Sequence, residues 1–183
     1  MTLETTPFDI VDFIQAPEDA VEYLKVVMEG GNSDEIRAAL NTIVRARGVQ
    51  TIAKETGATV VDPNVIYDLP MDIYAPCALG ATVNDQTIDR LKCAVIAGGA
   101  NNQLKDEAKH GQILMEKGII YAPDFLINAG GVINVGAEYF GDYHKELVFA
   151  QTEKIYDTCL SILDKSQQEN IPAQQAAIEA AKA

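Results

Sequence analysis

A chain of 183 residues holds one ordinary domain, or a moderate domain with a small appendage, and can bury a real core. Its formal net charge of -13, with acidic residues in excess both before and after residue 57, counts against nucleic acid as a partner. A composition of 48% hydrophobic and 22% charged residues, with no long apolar run and no signal-peptide pattern at Met1-Thr2-Leu3-Glu4, describes a soluble protein off the membrane.

The leading segment reads as helices. Pro17 suits a first helical turn, with Glu18 and Asp19 at its positive end, and Val21, Leu24, Val27 and Met28 recur at helical spacing until Gly30-Gly31. Asn32 or Ser33 caps a second helix with the apolar face Ile36, Ala39, Leu40, Ile43 and Val44, which stops at Gly48; a third runs from Val49 to Thr56, before Gly57. From Ala58 onward short apolar runs alternate with helical patterns, as parallel strands joined by crossovers do. Strands are predicted at 59–61, 72–75, 94–97 and 119–121, with helices at 85–91, capped by Asn84, and at 105–117. Helical patterns follow from Asn128 to Phe140, from Asp142 to about Gln168, and from Pro172 onward. The expected fold class is α/β: a partial parallel sheet of about three or four strands, with a helical amino-terminal segment (1–57) and carboxy-terminal helices within 58–183. Cys77, Cys93 and Cys159 have no paired spacing and no nearby histidine, so neither a disulfide nor a metal site is expected and a reducing, cytoplasmic setting fits.

Three motifs fall at the carboxyl ends of predicted strands, where open parallel sheets bind ligands: Ala75-Pro76-Cys77-Ala78-Leu79-Gly80, Ala97-Gly98-Gly99-Ala100-Asn101-Asn102-Gln103-Leu104, and Asn128-Ala129-Gly130-Gly131-Val132-Ile133-Asn134-Val135. In the last, a side-chain amide beside two glycines lets a flat polar ligand press against backbone. Taken together over residues 58–183, these motifs resemble the Glu/Leu/Phe/Val dehydrogenase family, with its Rossmann-like NAD-binding domain. The resemblance implies NAD as cofactor and oxidative deamination of a branched-chain amino acid to its 2-oxo acid. It implies that the loop with Ala75, Cys77 and Ala78 flanks the nicotinamide end, that Asn101 or Asn102 holds the adjoining ribose, and that Asn128 holds the carboxamide. Gly130 and Gly131 would let backbone approach closely, and Val132 and Val135 would form the wall for the substrate side chain. A plainer reading stands beside each. Asn128 and Asn102 serve as helix caps, Val132 and Val135 as core, Cys77 as a small buried residue, and His110 and His144 as surface residues.

The front of the chain carries a second resemblance. Pro17-Glu18-Asp19-Ala20, Tyr23-Leu24, Arg45-Ala46-Arg47-Gly48 and Gln50-Thr51-Ile52-Ala53-Lys54-Glu55-Thr56-Gly57 look like the antidote proteins of bacterial addiction modules, which carry a helix-turn-helix. The recognition helix of that family is replaced by Ala58-Thr59-Val60-Val61-Asp62-Pro63, so the element that reads the major groove is absent. Nor does any Gly-x-Gly-x-x-Gly occur for a pyrophosphate. The lysine and aspartate that the dehydrogenase family carries on a separate amino-terminal domain have no counterpart either, so no catalytic residue is assigned. The chain reads as a joint near Gly57-Ala58. Three outcomes follow: an incomplete dehydrogenase, weakly active or inactive alone; an antidote-like module for DNA or a toxin, fused to a scaffold; or a chimeric fold without activity. An uncovered sheet edge would favour a homo-oligomer, unless the leading helices dock on the sheet.

Overall fold

A computed structural model of the chain describes residues 8–30, 33–141 and 143–182. It divides between Asp62 and Pro63 into two compact units.

The first unit is helical. The Asp9 carboxylate accepts from the Val11 N–H and opens a 3-10 turn, Ile10–Phe13. Helix α1 (Pro17–Gly30) is preceded by the Gln15 and Ala16 N–H groups, which both donate to the Asp19 carboxylate, at 3.0 and 2.8 Å. Helices α2 (Ser33–Arg47) and α3 (Val49–Thr56) are separated by Gly48 and ended by Gly57, whose φ values of 78° and 72° suit glycine. All three helices lie where periodicity predicts them. Of the two cap candidates for α2, Asn32 and the side chain of Ser33 lie outside the described residues. Ala20, Ala39 and Ala53 are buried, one on each helix, so small side chains let the helices approach. Arg45 pairs with Asp9 at 2.6 Å and Arg47 with Glu55 at 2.5 Å.

The predicted strand at 59–61 does not form. Residues 58–62 are irregular, and Val60 is 44% exposed. Thr-Val-Val has the propensity for a strand, but propensity without a neighbour to complete a ladder does not make one.

In the second unit, strands β1 (Ile73–Tyr74), β2 (Val95–Ile96) and β3 (Ile120–Tyr121) form a parallel sheet in the order β1-β2-β3, with Tyr74, Ile96 and Tyr121 in register. The predicted spans 72–75, 94–97 and 119–121 enclose them. Tyr74, Ile96 and Tyr121 share one core with Val83, Ile88, Leu91, Leu104 and Leu114. Each fully buried aliphatic side chain there contributes about 1.5–3 kcal/mol. Period-two alternation turns Ile73 and Ile120 to the other face, where they are 57% and 43% exposed.

Residues 85–91 form successive turns rather than the predicted helix. Asn84 does act as a cap, accepting the Gln86 N–H at 2.9 Å. The Thr87 hydroxyl closes these turns, donating to the Thr82 carbonyl at 2.6 Å and accepting from the Asn84 N–H at 3.0 Å. Helix α4 (Glu107–Glu116) is capped by Asp106, whose carboxylate accepts the Lys109 N–H. After β3 come α5 (Asp124–Ile127), α6 (Gly130–Tyr139), α7 (Lys145–Glu169) and α8 (Ala173–Ala180). Asp142, the expected start of α7, lies outside the described residues. Ile162 of α7 meets Ala176 and Ala177 of α8 in a second core, joined by Leu126 and Ile171.

His110 is buried, not on the surface as its polarity suggests. Its Nδ1 accepts the Asp106 N–H at 3.0 Å, which leaves Nε2 to donate to Asp85 Oδ1, also at 3.0 Å. The imidazole thereby joins the turns after residue 84 to the start of α4. Lys109 Nζ approaches the same carboxylate at 2.6 Å, and Lys109 and then His110 hold Asp85 below the usual carboxylate range. A lowered value means that the stabilising contribution is complete above the ordinary pKa of 3.8 and is lost as pH falls through the folded-state value. Thermal unfolding across that acid range is therefore expected to be less pH-dependent in Asp85→Asn than in the parent; identical slopes would remove this clasp from the account.

Candidate ligand site at the carboxyl edge of the sheet

Because the strands are parallel, the loops that leave β1, β2 and β3 emerge at one edge. The first two are pressed together through backbone. A Cβ on Gly98 would lie 2.2 Å from the Pro76 carbonyl oxygen and 2.5 Å from its nitrogen, so only glycine fits. The contact lets the Ala100 N–H reach the Pro76 carbonyl at 3.0 Å and the Gly99 N–H reach Cys77 Sγ at 3.3 Å. Gly80 meets the same loop further along, where a Cβ would lie 2.7 Å from the Asn101 carbonyl oxygen. The next residue, Ala81, donates its N–H to the Asn102 carbonyl at 2.7 Å.

Gln103 closes the second loop from inside. Fully buried, it donates through Nε2 to the carbonyls of Gly98 and Ala100, at 2.5 and 2.9 Å. Sequence reasoning did not single out Gln103, although it stands inside the quoted motif; the available signal was a side-chain amide long enough to reach back to its own loop's carbonyls. In the third loop, the pair of Tyr121 and Asp124 was missed in the same way. Tyr121 donates its hydroxyl to Asp124 Oδ1 at 3.0 Å, in a buried pair at the junction of β3 and α5. Burial, and then the Asp124 charge, push the Tyr121 phenol well above its ordinary range, so it stays protonated and remains a donor.

Asn128 ends α5, its backbone N–H bonded to the Asp124 carbonyl at 3.0 Å. Its side chain does not cap the following helix, whose first turn is preceded by Ala129 without a side-chain bond. The amide crosses instead to the second loop. Nδ2 lies 2.5 Å from Asn101 Oδ1 and 3.5 Å from the Gly99 carbonyl oxygen. Asn102 is not a cap either, because Asp106 holds that role, and it adopts a left-handed φ of 53° that asparagine tolerates. Cys77 is exposed rather than buried, with Pro76 taking the interior position beside it. Ala75 and Ala78 are exposed as well, on the same loop.

The structure thus brings Cys77, Asn101 and Asn128 together around Gly99. Gly130, Gly131, Val132 and Val135 follow on α6 rather than among these contacts. Val132 and Val135 are not core residues: they stand 70% and 60% exposed on one side of the helix. Between α6 and α7 lies a 320 Å³ groove lined by Val132, Ile133, Phe140 and Leu147 among others. His144 is exposed, as expected.

Paired side-chain amides and glycine-framed backbone meet at this edge. The protein is of the α/β class, and the candidate site lies at the carboxyl ends of its parallel strands. Comparison with known proteins gives it a family: residues 20–182 match the Glutamate/Leucine/Phenylalanine/Valine dehydrogenase profile, and the chain belongs to that family, whose members use NAD(P). It is 52% identical over 136 residues to a leucine dehydrogenase of Bacillus cereus, covering 74% of this chain and 37% of that one. It is 50% identical over 121 residues to an L-tryptophan dehydrogenase of Nostoc punctiforme, covering 66% and 34%. The crystal structure of L-tryptophan dehydrogenase from Nostoc punctiforme superposes with a TM-score of 0.69 at 47% identity, over 73% of this chain and 39% of that chain. The chain spans little more than a third of the length of these relatives. The family match begins inside the segment that resembles antidote proteins, and these comparisons show no antidote-like segment.

Gly98→Ala is expected to force the first two loops apart and cost about 1–3 kcal/mol or more, because the obstacle is backbone that cannot rotate away. Gly131→Ala, where an added Cβ meets nothing within 4 Å, should not destabilise. Urea unfolding of the two variants checks the contrast.

Proposed function

We propose that this chain carries the nicotinamide end of the cofactor site of an NAD-dependent branched-chain amino-acid dehydrogenase, of the kind that oxidatively deaminates leucine to its 2-oxo acid. The observation that carries the reading is the bond between the Asn128 and Asn101 side chains, 2.5 Å long, at the edge where three parallel strands end. Identity of 52% to a leucine dehydrogenase supports the branched-chain substrate.

In this reading the loop of Ala75, Cys77 and Ala78 flanks the nicotinamide. Asn101 or Asn102 meets the adjoining ribose, and Asn128 takes the carboxamide. Gly130 and Gly131 admit the substrate beside the backbone, and Val132 and Val135 form one wall for its side chain. NAD, when bound, supplies the hydride acceptor. The chain's own residues bind and orient. Among the 183 residues there is no glycine-rich turn for the pyrophosphate and no lysine assigned to proton transfer, so these residues alone are proposed to bind weakly and to turn over slowly or not at all. Loss of general acid–base groups by itself slows such chemistry about a hundredfold to ten-thousandfold. Free Cys77, Cys93 and Cys159 support a reducing, cytoplasmic setting. The exposed Ile73 and Ile120 on the sheet favour self-association into a homo-oligomer, and a monomer by sedimentation at high concentration would remove that part of the reading.

Calorimetric titration of the full chain with NAD tests the site. Saturable binding in the millimolar range, about -4 kcal/mol, is expected, and it should disappear in Asn128→Ala while the melting curve of that variant stays close to the parent's. Absence of heat at millimolar NAD, or binding indifferent to Asn128→Ala, would defeat the assignment.

A further inference from the structure

The buried His110 ring has a different partner at each nitrogen, and one of them is backbone. A backbone N–H can only donate, so Nδ1, 3.0 Å from the Asp106 nitrogen, keeps its lone pair, and the ring proton sits on Nε2, 3.0 Å from Asp85 Oδ1. Turning the ring over would set carbon against both partners, so the same two contacts fix its orientation. The segments that carry these partners run side by side just before them. Ala81 donates to the Asn102 carbonyl at 2.7 Å, Val83 to the Gln103 carbonyl at 3.0 Å, and Lys105 to the Val83 carbonyl at 3.0 Å. His110 closes this ladder at the end remote from Asn101, joining Asp85 on one side to Asp106 on the other.

A second proton can enter the ring only at Nδ1, where it meets the Asp106 N–H, donor against donor. The two sides of the ring then respond in opposite ways. Toward Asp85 an imidazolium bonds more strongly, because its partner is a carboxylate. Lys109, whose Nζ lies 2.6 Å from Asp85, and then His110 hold that carboxyl below its usual range, so it stays ionised while an imidazole titrates. Toward Asp106 the bond is lost. The other groups packed about this end of α4 are the acidic residues of its start, Asp106, whose carboxylate accepts the Lys109 N–H at 2.9 Å, and Glu107; α8 brings the neutral Gln174 amide against Gly111, and Leu114 belongs to the apolar core. We propose that His110 is a proton-operated clasp on the second loop of the site: the neutral ring holds the Asp106 N–H and keeps residues 101–106 against 80–85, while the protonated ring stays with Asp85 and releases the Asp106 end. The loop that carries Asn101 is then fully tied only above the range, about pH 8 to 5, in which imidazoles take up a proton. The inference is independent of the nicotinamide reading, since the ladder is the same whichever ligand meets its other end.

The test follows the ring and the loop together, by NMR of the full chain across that same range, in which carboxylates of ordinary pKa stay ionised. The chain has two histidines, so His144→Gln identifies the His110 ring signals. At the upper end the ring is expected to show a bare Nδ1 and a protonated Nε2. As pH falls, Nδ1 should gain a proton, and hydrogen-exchange protection of the Asp106, Val83 and Lys105 amides should drop roughly tenfold with the same midpoint. His110→Asn puts an oxygen that does not titrate in the place of Nδ1, and protection in that variant should not vary with pH. His110→Gln reaches the place of Nε2 alone and should leave the Asp106 amide weakly protected throughout. A proton on Nδ1 at the upper end, a ring still neutral at the lower end, or a titration that leaves protection unchanged would each overturn the proposal. So would a pH-dependent loss that persists in His110→Asn, because another group would then be its source. Should either variant fail to fold, the ring and amide profiles of the parent decide by themselves.

Discussion

The missing side chain at Gly98 is the constraint on which the rest of the site depends. It lets the loop after β2 lie directly on the backbone of the loop after β1, with the Pro76 carbonyl accepting the Ala100 N–H at 3.0 Å. Peptide groups that would otherwise need water are paired by that contact, so the loops are ordered by backbone bonds before any side chain is considered. Gly80 presses on the same loop at the Asn101 carbonyl. Two glycines therefore bracket Asn101 from different segments. The buried Gln103 amide then fixes the curvature between them, and Asn101 is left exposed within reach of Asn128.

The third loop reaches the same point by a different route. Register places Tyr121 opposite Ile96, and its protonated hydroxyl meets Asp124 at the first residue of α5. That helix is a single turn, so Asn128 follows Asp124 by one backbone bond, and the Tyr121–Asp124 pair governs where the Asn128 amide begins. Asn101 and Asn128 stand 27 residues apart in sequence and meet because β2 and β3 are adjacent and parallel. Their bond reports the sheet register in the currency of side-chain geometry.

Most of the architecture was legible because it rests on local signals. Gly48 and Gly57 mark helix ends through positive φ, and the strand positions at 72–75, 94–97 and 119–121 follow from short apolar runs between turns. What failed was decided by partners distant in sequence. Thr59-Val60-Val61 has strand propensity and no ladder to join. Between Asn84 and Leu91 the backbone mixes three- and four-residue turn bonds, a distinction that apolar periodicity does not contain. His110 looked like a surface residue because its partner, Asp85, is 25 positions away. In the site, the motifs located the loops, while the plainer alternatives for Asn102, Asn128, Val132 and Val135 gave way to geometry. Caps compete for the nearest free N–H group. Asp106 already occupies that role for α4, and Asn128 faces backward toward β2.

In the proposed reading two kinds of recognition meet at this edge, and they have different requirements. The contacts around Asn101 and Asn128 are internal to one compact unit, held by backbone pairing and by the buried amide of Gln103, so their geometry does not wait for another surface. Val132 and Val135 are otherwise placed. At 70% and 60% exposed they stand open to water. An added methylene gains about 1–3 kcal/mol only where the pocket around it is closed, since transfer from water to a wet surface removes little apolar area from solvent. In the proposed reading a head group met through hydrogen bonds engages these loops alone, while a branched aliphatic side chain meets only the open face of α6.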